Sequence, residues 1–150
     1  MSGTHRPSRR DVLRLAAGAA TAALIPPALA TAPAQHMRKI PKTGEAIPAI
    51  GLGSWQTFDV GAAASARAAQ REVLKLFAEH GGRVVDSSPM YGESESVIGD
   101  LAAELGIASK LFLATKVWTS GRTDGIRQME ESFRRMRTKR MDLMQIHNLV

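Results

Sequence analysis

The chain has 150 residues, of which 44% are hydrophobic and 23% are charged, a composition typical of a globular protein. It contains no cysteine, which excludes disulfide bonds, thiolate metal sites and cysteine nucleophiles. Half of the net charge of +6 lies in the first 30 residues, so the remainder is only mildly basic and we expect no nucleic-acid partner.

Residues 1–30 have the three parts of an export signal. Paired arginines, Arg9 and Arg10, precede an apolar run at residues 15–24. This run is too short to cross a bilayer, which takes about 20 residues. Small residues before Ala30 then provide a cleavage site.

The paired arginines resemble those of the twin-arginine (Tat) export signal, and an ordinary secretory signal is the alternative. A Tat signal implies that residues 8–14 bind the Tat export machinery. It also implies a periplasmic or otherwise extracytoplasmic protein with no stable membrane anchor after cleavage near Ala30 or Ala34. We therefore divide the chain into a signal peptide (1–30), a short linker (31–36) and a folded part (37–150).

Beyond the linker, short apolar strands alternate with helical periodicity. A hairpin is predicted from Met37 to Ile47, with Gly44 supplying the positive φ of its turn. The strands predicted after it cover residues 49–53, 83–86, 111–117 and 143–146. Three helices separate these strands, and this alternation predicts an α/β fold with a parallel sheet.

Each predicted helix has one apolar face. The faces comprise Ala69, Val73, Leu76 and Phe77 in the first helix, Ile98, Leu101, Ala102 and Leu105 in the second, and Ile126, Met129, Phe133 and Met136 in the third. On the exposed side of the third helix, Glu130 is predicted to pair with Arg134, and Glu131 with Arg135.

Ionisable residues end three successive strands at intervals of 30 and 31 residues, one strand–helix unit each. They are Asp86, Lys116 and His147, and Tyr91 follows on the loop after Asp86. Because the carboxyl ends of parallel strands share one edge of the sheet, we expect these side chains to converge there.

An acid, an ammonium, a phenol and an imidazole together suggest proton transfer. A phenol is a weak acid at neutral pH, and a neighbouring ammonium stabilises its phenolate form. Protonating a carbonyl oxygen while hydride reaches the carbon would fit this set, and since no side chain carries hydride, a nicotinamide cofactor is implied. The alternative is that Asp86 and Lys116 form a structural ion pair and that His147 is a hydrogen-bonded histidine at a strand end.

Four segments, in order, resemble signatures of the aldo-keto reductase family. They are residues 51–55 (GLGSW), 83–92 (RVVDSSPMYG), 114–118 (ATKVW) and 142–148 (DLMQIHN). The resemblance runs from about Met37 to Val150 and implies an NADP(H)-dependent reductase of a small-molecule aldehyde or ketone. We expect no metal site, because the histidines have no metal-ligand spacing.

Carried over by position, the resemblance assigns roles to four residues. Tyr91 would donate the proton, and Lys116 would tune its acidity. Asp86 would orient Lys116, and His147 would orient the substrate carbonyl.

The resemblance also implies ligand contacts. Ser54, Trp55 and Asp86 would contact the cofactor, and Trp55, Trp118 and His147 would line the substrate pocket. The pair Ser87-Ser88 stands where many members have Thr-Ala or Thr-Ser.

The implied fold is a (β/α)8 barrel of at least about 200 residues, and a folded part of about 120 residues is too short to close one. We therefore expect the N-terminal half of the barrel, a hairpin plus four strand–helix units, with exposed strand edges at residues 49–52 or 143–146. The alternative functions are a non-catalytic nucleotide-binding or structural barrel, and a truncated fragment without activity.

Overall fold

The computed structural model describes residues 35–148, and the predicted signal peptide (1–30) lies outside the described residues. The first element is an antiparallel hairpin of β1 (Met37–Lys39) and β2 (Ala46–Pro48). Gly44 lies in its turn with φ of 73°, a conformation that glycine adopts without steric cost. The predicted hairpin is therefore confirmed.

Four parallel strands form the main sheet. In chain order they are β3 (Leu52–Gly53), β4 (Val84–Asp86), β5 (Phe112–Val117) and β6 (Leu143–Ile146), and this is also their order in the sheet. The predicted parallel pairing is confirmed, and β3 and β6 are its two edges. Strand β3 is shorter than the predicted range of 49–53. Gly51, just before it, lies close to β4, because a Cβ at this position would be only 3.0 Å from the Val84 side chain.

Three helices connect these strands: α1 (Ala64–Glu79), α2 (Ser94–Glu104) and α3 (Arg122–Arg135). Their apolar side chains share one core with Val85 and Leu113 of the sheet. Alternate strand residues, such as Asp86 and Ala114, point to the opposite face. This second face and the hairpin surround a hollow of about 390 Å³.

The predicted face of α2 is confirmed. Ile98, Leu101 and Ala102 are each at most 4% exposed, and Leu105 packs against the same core. Gly106 follows with φ of 66°, the left-handed conformation that commonly ends a helix. Helix α2 packs against α1 on one side and against α3 on the other, which explains why its whole apolar face packs into the core.

The predicted face of α1 is wrong except at Phe77. Val73 and Leu76 are 46% and 45% exposed, whereas Leu74 is fully buried and Phe77 packs beside it. An ion pair of 2.6 Å from Arg67 to Asp100 of α2 joins the two helices. The helix is thus rotated so that the apolar positions 74, 77 and 78 face inward, and the apolar side chains at positions 69, 73 and 76 remain on the surface.

The predicted face of α3 is wrong at its first turn, because Ile126 is 40% exposed and Gly125 is buried instead. A small residue allows this turn to approach Val117 of β5, whose Cγ1 would be 3.7 Å from a Cβ at Gly125. Met136, at the other end, is buried as predicted.

One of the two predicted ion pairs on α3 is present. Arg135 pairs with Glu131 at 2.9 Å, but Arg134 also pairs with Glu131 and not with Glu130. These two hydrogen bonds, first from Arg134 and then from Arg135, lower the pKa of Glu131 from 4.5 to about 2. Spacing alone does not distinguish i,i+3 from i,i+4 partners, and here one carboxylate accepts both.

Candidate active site

The ends of β4 and β5 hold the centre of the candidate site. The Lys116 ammonium donates to Oδ2 of Asp86 at 2.7 Å and to the backbone oxygen of Ser87, also at 2.7 Å. An ammonium has three hydrogens, so one remains for a further acceptor. The predicted convergence of Asp86 and Lys116 is confirmed.

The second oxygen of Asp86 is also held. Gln145 of β6 donates from its side-chain amide to Oδ1 of Asp86 at 3.1 Å. The Lys116 side chain is 11% exposed and that of Asp86 is 38% exposed. The carboxylate thus connects three neighbouring strands, and its orientation is restrained at both oxygens.

Tyr91 lies above this pair. The Lys116 ammonium is 5.1 Å from the centre of the Tyr91 ring. The His147 ring lies 5.8 Å from the same ring, edge to face at 85°, and the Trp55 ring lies at 6.5 Å. All four side chains predicted to be catalytic therefore lie together, although 61 residues separate the first from the last.

The turn that carries Tyr91 is held by Asp59, a residue that the sequence analysis did not identify. Oδ1 of Asp59 accepts the backbone N–H of Glu93 at 2.9 Å, next to the start of α2. Gly92 has φ of 56°, and a Cβ there would collide with the Asp59 carboxylate. The sequence contains no spacing signal for this contact, because it joins two loops.

A group of buried serines lies beneath the turn. Ser54, Ser87, Ser88 and Ser94 are all fully buried. Ser54 donates to the Ser87 hydroxyl at 2.9 Å, and Ser94 donates to the backbone oxygen of Ser54 at 3.2 Å. The side chain of Ser54, predicted to contact the cofactor, therefore supports the site from below in this structure.

His147 follows β6 and makes two contacts that fix its position. Its backbone N–H donates to the backbone oxygen of Val117 at 2.9 Å, and this hydrogen bond extends the β5–β6 pairing by one residue. Its Nδ1 lies 3.1 Å from the hydroxyl oxygen of Ser88. Neither Ser88 nor Gln145 was identified from the sequence, although Gln145 has the strand parity of His147 and could have been found from it.

A groove of about 700 Å³ opens beside His147. It is lined by Val117, Trp118, Thr119, Ser120, Ile146, His147 and Asn148. Trp118 is 49% exposed, and two hydrogen bonds between its backbone and the Gln128 side chain hold it at the end of β5. Trp55, 63% exposed, lies beside Tyr91 and is not part of the lining.

One fully buried carboxylate lies on the helix side of the sheet. Oε1 of Glu95, in the first turn of α2, accepts a hydrogen bond of 2.6 Å from Thr115, the residue before Lys116. Its Oε2 lies 3.9 Å from an Arg135 nitrogen. The hydrogen bond between Glu95 and Thr115 joins the helix that follows Tyr91 to the strand that carries Lys116.

Two further observations concern residues 35–148. Nowhere in this range do three His, Cys, Asp or Glu side chains come close enough together to hold a metal ion. None of the helices within it combines the length and apolar character that a membrane crossing requires.

The fold and the site together define a class of protein. It is a parallel α/β protein that carries an acid, an ammonium, a phenol and an imidazole at the carboxyl ends of its strands. The profile of the Aldo/keto reductase family matches residues 49–150. The chain belongs to this family.

Relatives and solved structures agree. The chain is 35% identical over 105 residues to the methylglyoxal reductase YeaE of Escherichia coli (strain K12). This match covers 67% of the chain and 35% of that protein. It is 28% identical over 120 residues to the aldo-keto reductase YhdN of Bacillus subtilis (strain 168), covering 72% and 36%.

A crystal structure of an aldo/keto reductase from Klebsiella pneumoniae in complex with NADP and acetate superposes with a TM-score of 0.60 at 30% identity. The match covers 69% of this chain and 36% of that one. The chain thus spans about a third of the length of the relatives it matches. Its four strands and three helices form part of the (β/α)8 barrel fold, as the sequence predicted.

Proposed function

We propose that the full-length protein, meaning this chain with any residues that its coding sequence adds after Val150, reduces an aldehyde or ketone to an alcohol with NADPH. The observation that carries this proposal is the placement of Tyr91 close to both the Lys116 ammonium, 5.1 Å from its ring centre, and the His147 ring, at 5.8 Å. A phenol with a cation and a polar donor beside it can release a proton to a substrate oxygen.

The residues of the chain divide the proton chemistry among them. Tyr91 donates its hydroxyl proton to the carbonyl oxygen of the substrate. Lys116, with two hydrogens directed to Asp86 and Ser87, has its third hydrogen available to stabilise the phenolate that remains. His147 donates a hydrogen bond to the same carbonyl oxygen as negative charge develops on it.

The residues around Tyr91 fit a nicotinamide cofactor. NADPH, when bound, supplies the hydride that no side chain can provide. Trp55 presents a largely exposed ring next to Tyr91, and Asp86 keeps part of its carboxylate accessible. We propose that these two residues hold the cofactor at this edge of the sheet.

The proposed substrate is a small carbonyl compound. Five of the similar curated proteins are named methylglyoxal reductases, with 30–35% identity to this chain. The groove beside His147 has an aromatic wall in Trp118, which suits a compact, partly apolar substrate. Methylglyoxal is therefore the first substrate to test.

The test is steady-state oxidation of NADPH by the full-length protein with methylglyoxal and with a series of other aldehydes and ketones. We expect oxidation that depends on the carbonyl compound and yields the corresponding alcohol. Absence of turnover with every carbonyl compound in the series, in a protein shown to be folded, would overturn the proposal.

A truncated fragment without a cofactor site is the second candidate for the 150-residue chain alone, because the chain spans only 35% of its curated relative. Trp55 and Trp118 are both partly exposed near the site, so cofactor binding should change their fluorescence. Quenching on addition of NADPH to the 150-residue chain would argue against this candidate, and its absence at saturating NADPH would favour it.

We also propose that the protein is exported through the Tat machinery, and that Arg9 and Arg10 are the recognised pair. Replacing both by lysine keeps the charge but removes the guanidinium groups. The variant should remain in the cytoplasm, measured by fractionation of cells that express it. The single control variant Arg14→Lys should be exported, and unchanged export of the double variant would contradict the Tat assignment.

A further inference from the structure

We infer that Ser88 is a positioning residue that determines which nitrogen of the neutral His147 ring carries the hydrogen. The inference starts from a contact that the proposed mechanism does not use. The Ser88 hydroxyl oxygen lies 3.1 Å from Nδ1 of His147, and the Ser88 side chain is fully buried. The contact joins the loop after β4 to the end of β6.

The remaining partner of Ser88 restricts the direction of this hydrogen bond. The backbone N–H of Met90 donates to the Ser88 oxygen at 3.3 Å. A serine hydroxyl has one hydrogen, which must find an acceptor when it is buried. Among the described residues, Nδ1 of His147 is the acceptor within reach of Ser88. The Ser88 hydrogen therefore points to Nδ1.

This direction determines which ring nitrogen carries the proton. In a neutral imidazole one nitrogen donates and the other accepts, and the hydrogen bond made by one of them selects the form. An Nδ1 that accepts from Ser88 has no hydrogen, so the hydrogen is on Nε2. No other side-chain hydrogen bond of His147 occurs within residues 35–148, which leaves Nε2–H available to a ligand.

The consequence for the reaction rests on the proposed function. A substrate carbonyl oxygen needs a donor, and the Nε2–H form of His147 provides one. In the opposite form, Nε2 would present a lone pair to that oxygen and repel it. Ser88 therefore acts on the carbonyl through His147, and it does not touch the substrate itself because it is buried.

The direct test is nitrogen-15 NMR of the histidine rings in the ligand-free, full-length protein at mildly alkaline pH. The His147 signals are identified by their loss in His147→Gln. We expect an unprotonated Nδ1 and a protonated Nε2 in the parent protein. In Ser88→Ala, which removes one oxygen atom and adds no bulk, the fraction with protonated Nδ1 should rise.

The matched control is Ser87→Ala. Ser87 is equally buried and adjacent in sequence, but its hydroxyl contacts Ser54 and not His147. This control should leave the His147 signals unchanged. A parent protein with hydrogen on Nδ1, or a Ser88→Ala variant with the parental form of the ring, would overturn the inference.

A kinetic readout complements the spectrum. Loss of one neutral hydrogen bond corresponds to about a three- to tenfold change, which we expect as a drop in kcat/KM for the carbonyl substrate. The dissociation constant of NADPH should be unchanged, because the buried Ser88 cannot reach a bound cofactor. Ser132→Ala, at a buried hydroxyl of α3, should keep parental activity. Unchanged kcat/KM in Ser88→Ala would contradict the inference.

The two tests separate the inference from the function on which it rests. The NMR experiment needs neither substrate nor turnover. A protein with the expected Nε2–H form but no reductase activity would refute the proposed function and leave the role of Ser88 in place. An active reductase with the opposite ring form would refute the role of Ser88 alone.

Discussion

The centre of the sheet and its two edges differ in how completely they are packed. In the centre, Val85 of β4 and Ile98 of α2 are fully buried. At the edges, Leu76 of α1 and Ile146 of β6 are 45% and 69% exposed. The comparison shows that apolar periodicity identifies a whole core-packed face where neighbours cover a helix on both sides, as in α2, and only part of one at the edges.

The candidate site draws on both regions. Asp86 and Lys116 come from the central strands, and their ion pair is partly shielded from solvent. Trp55 and His147 come from the edges, where hydrogen bonds through Ser88 and Gln145 connect the last strand to the centre. The residues proposed for proton transfer are thus anchored in the well-packed part of the fold, and the residues proposed to contact ligands lie where the fold is open.

The largest expected contrast concerns apolar side chains. Ile98→Ala should destabilise the 150-residue chain by about 2–5 kcal/mol, because it leaves a cavity in a fully packed region. Leu76→Ala should cost less than about 1 kcal/mol, because water already reaches this side chain. Urea unfolding measures both values, and equal losses would refute the contrast.

A second contrast uses two helical glycines. A Cβ at Gly99 would collide with backbone atoms of Arg135 and Met136, so Gly99→Ala should cost about 1–3 kcal/mol. A Cβ at Gly125 would make an ordinary contact with Val117, and alanine favours the helix by about 1 kcal/mol. Gly125→Ala should therefore leave the melting temperature unchanged or raise it. A parental melting temperature for Gly99→Ala would show that α2 and α3 are not in tight contact.

The smallest expected effect is the pH dependence of the Glu131 ion pairs on α3. The pKa of Glu131 is lowered from its ordinary value of 4.5 to about 2 in the folded chain. The ionised Glu131 therefore stabilises the fold at pH values above 4.5. This contribution is lost as the pH falls from 4.5 towards 2. The pairs are exposed, so the stabilisation should be below about 1 kcal/mol.

The measurement is the difference in unfolding free energy between the parent chain and Glu131→Gln, followed from neutral pH down through this acid range. The difference should be greatest near neutral pH and should disappear in acid. Glu130→Gln is the control, since Glu130 forms none of the ion pairs found in residues 35–148. A difference that grows in acid would have the wrong sign.

The order and direction of the strands could be predicted because each apolar run is followed by a turn and a helical period. The convergence of Asp86, Lys116 and His147 could also be predicted, since it depends only on strand ends in a parallel sheet. The rotation of α1 and the first turn of α3 could not. Helix α1 carries apolar side chains on two sides, and the choice between them depends on contacts with α2, such as the one from Arg67 to a residue 33 positions away.

The supporting residues of the site were missed for a related reason. Asp59, Ser88 and Glu95 each contact a segment that is distant in sequence, at 34, 59 and 20 residues. Such contacts depend on loop conformation and on strand register. Ser54 was identified from a motif, which predicts a contact with the cofactor. In the structure its hydroxyl donates a hydrogen bond to Ser87, a contact that the motif did not predict.

The central claim is that Tyr91 donates the proton at this edge of the sheet. The most direct test is Tyr91→Phe in the full-length protein, with kcat for carbonyl reduction and the dissociation constant of NADPH measured on the same preparation. We expect kcat to fall by about 100-fold or more, typical for loss of a general acid, with cofactor binding within a few-fold of the parent. A variant that keeps parental kcat would contradict the account.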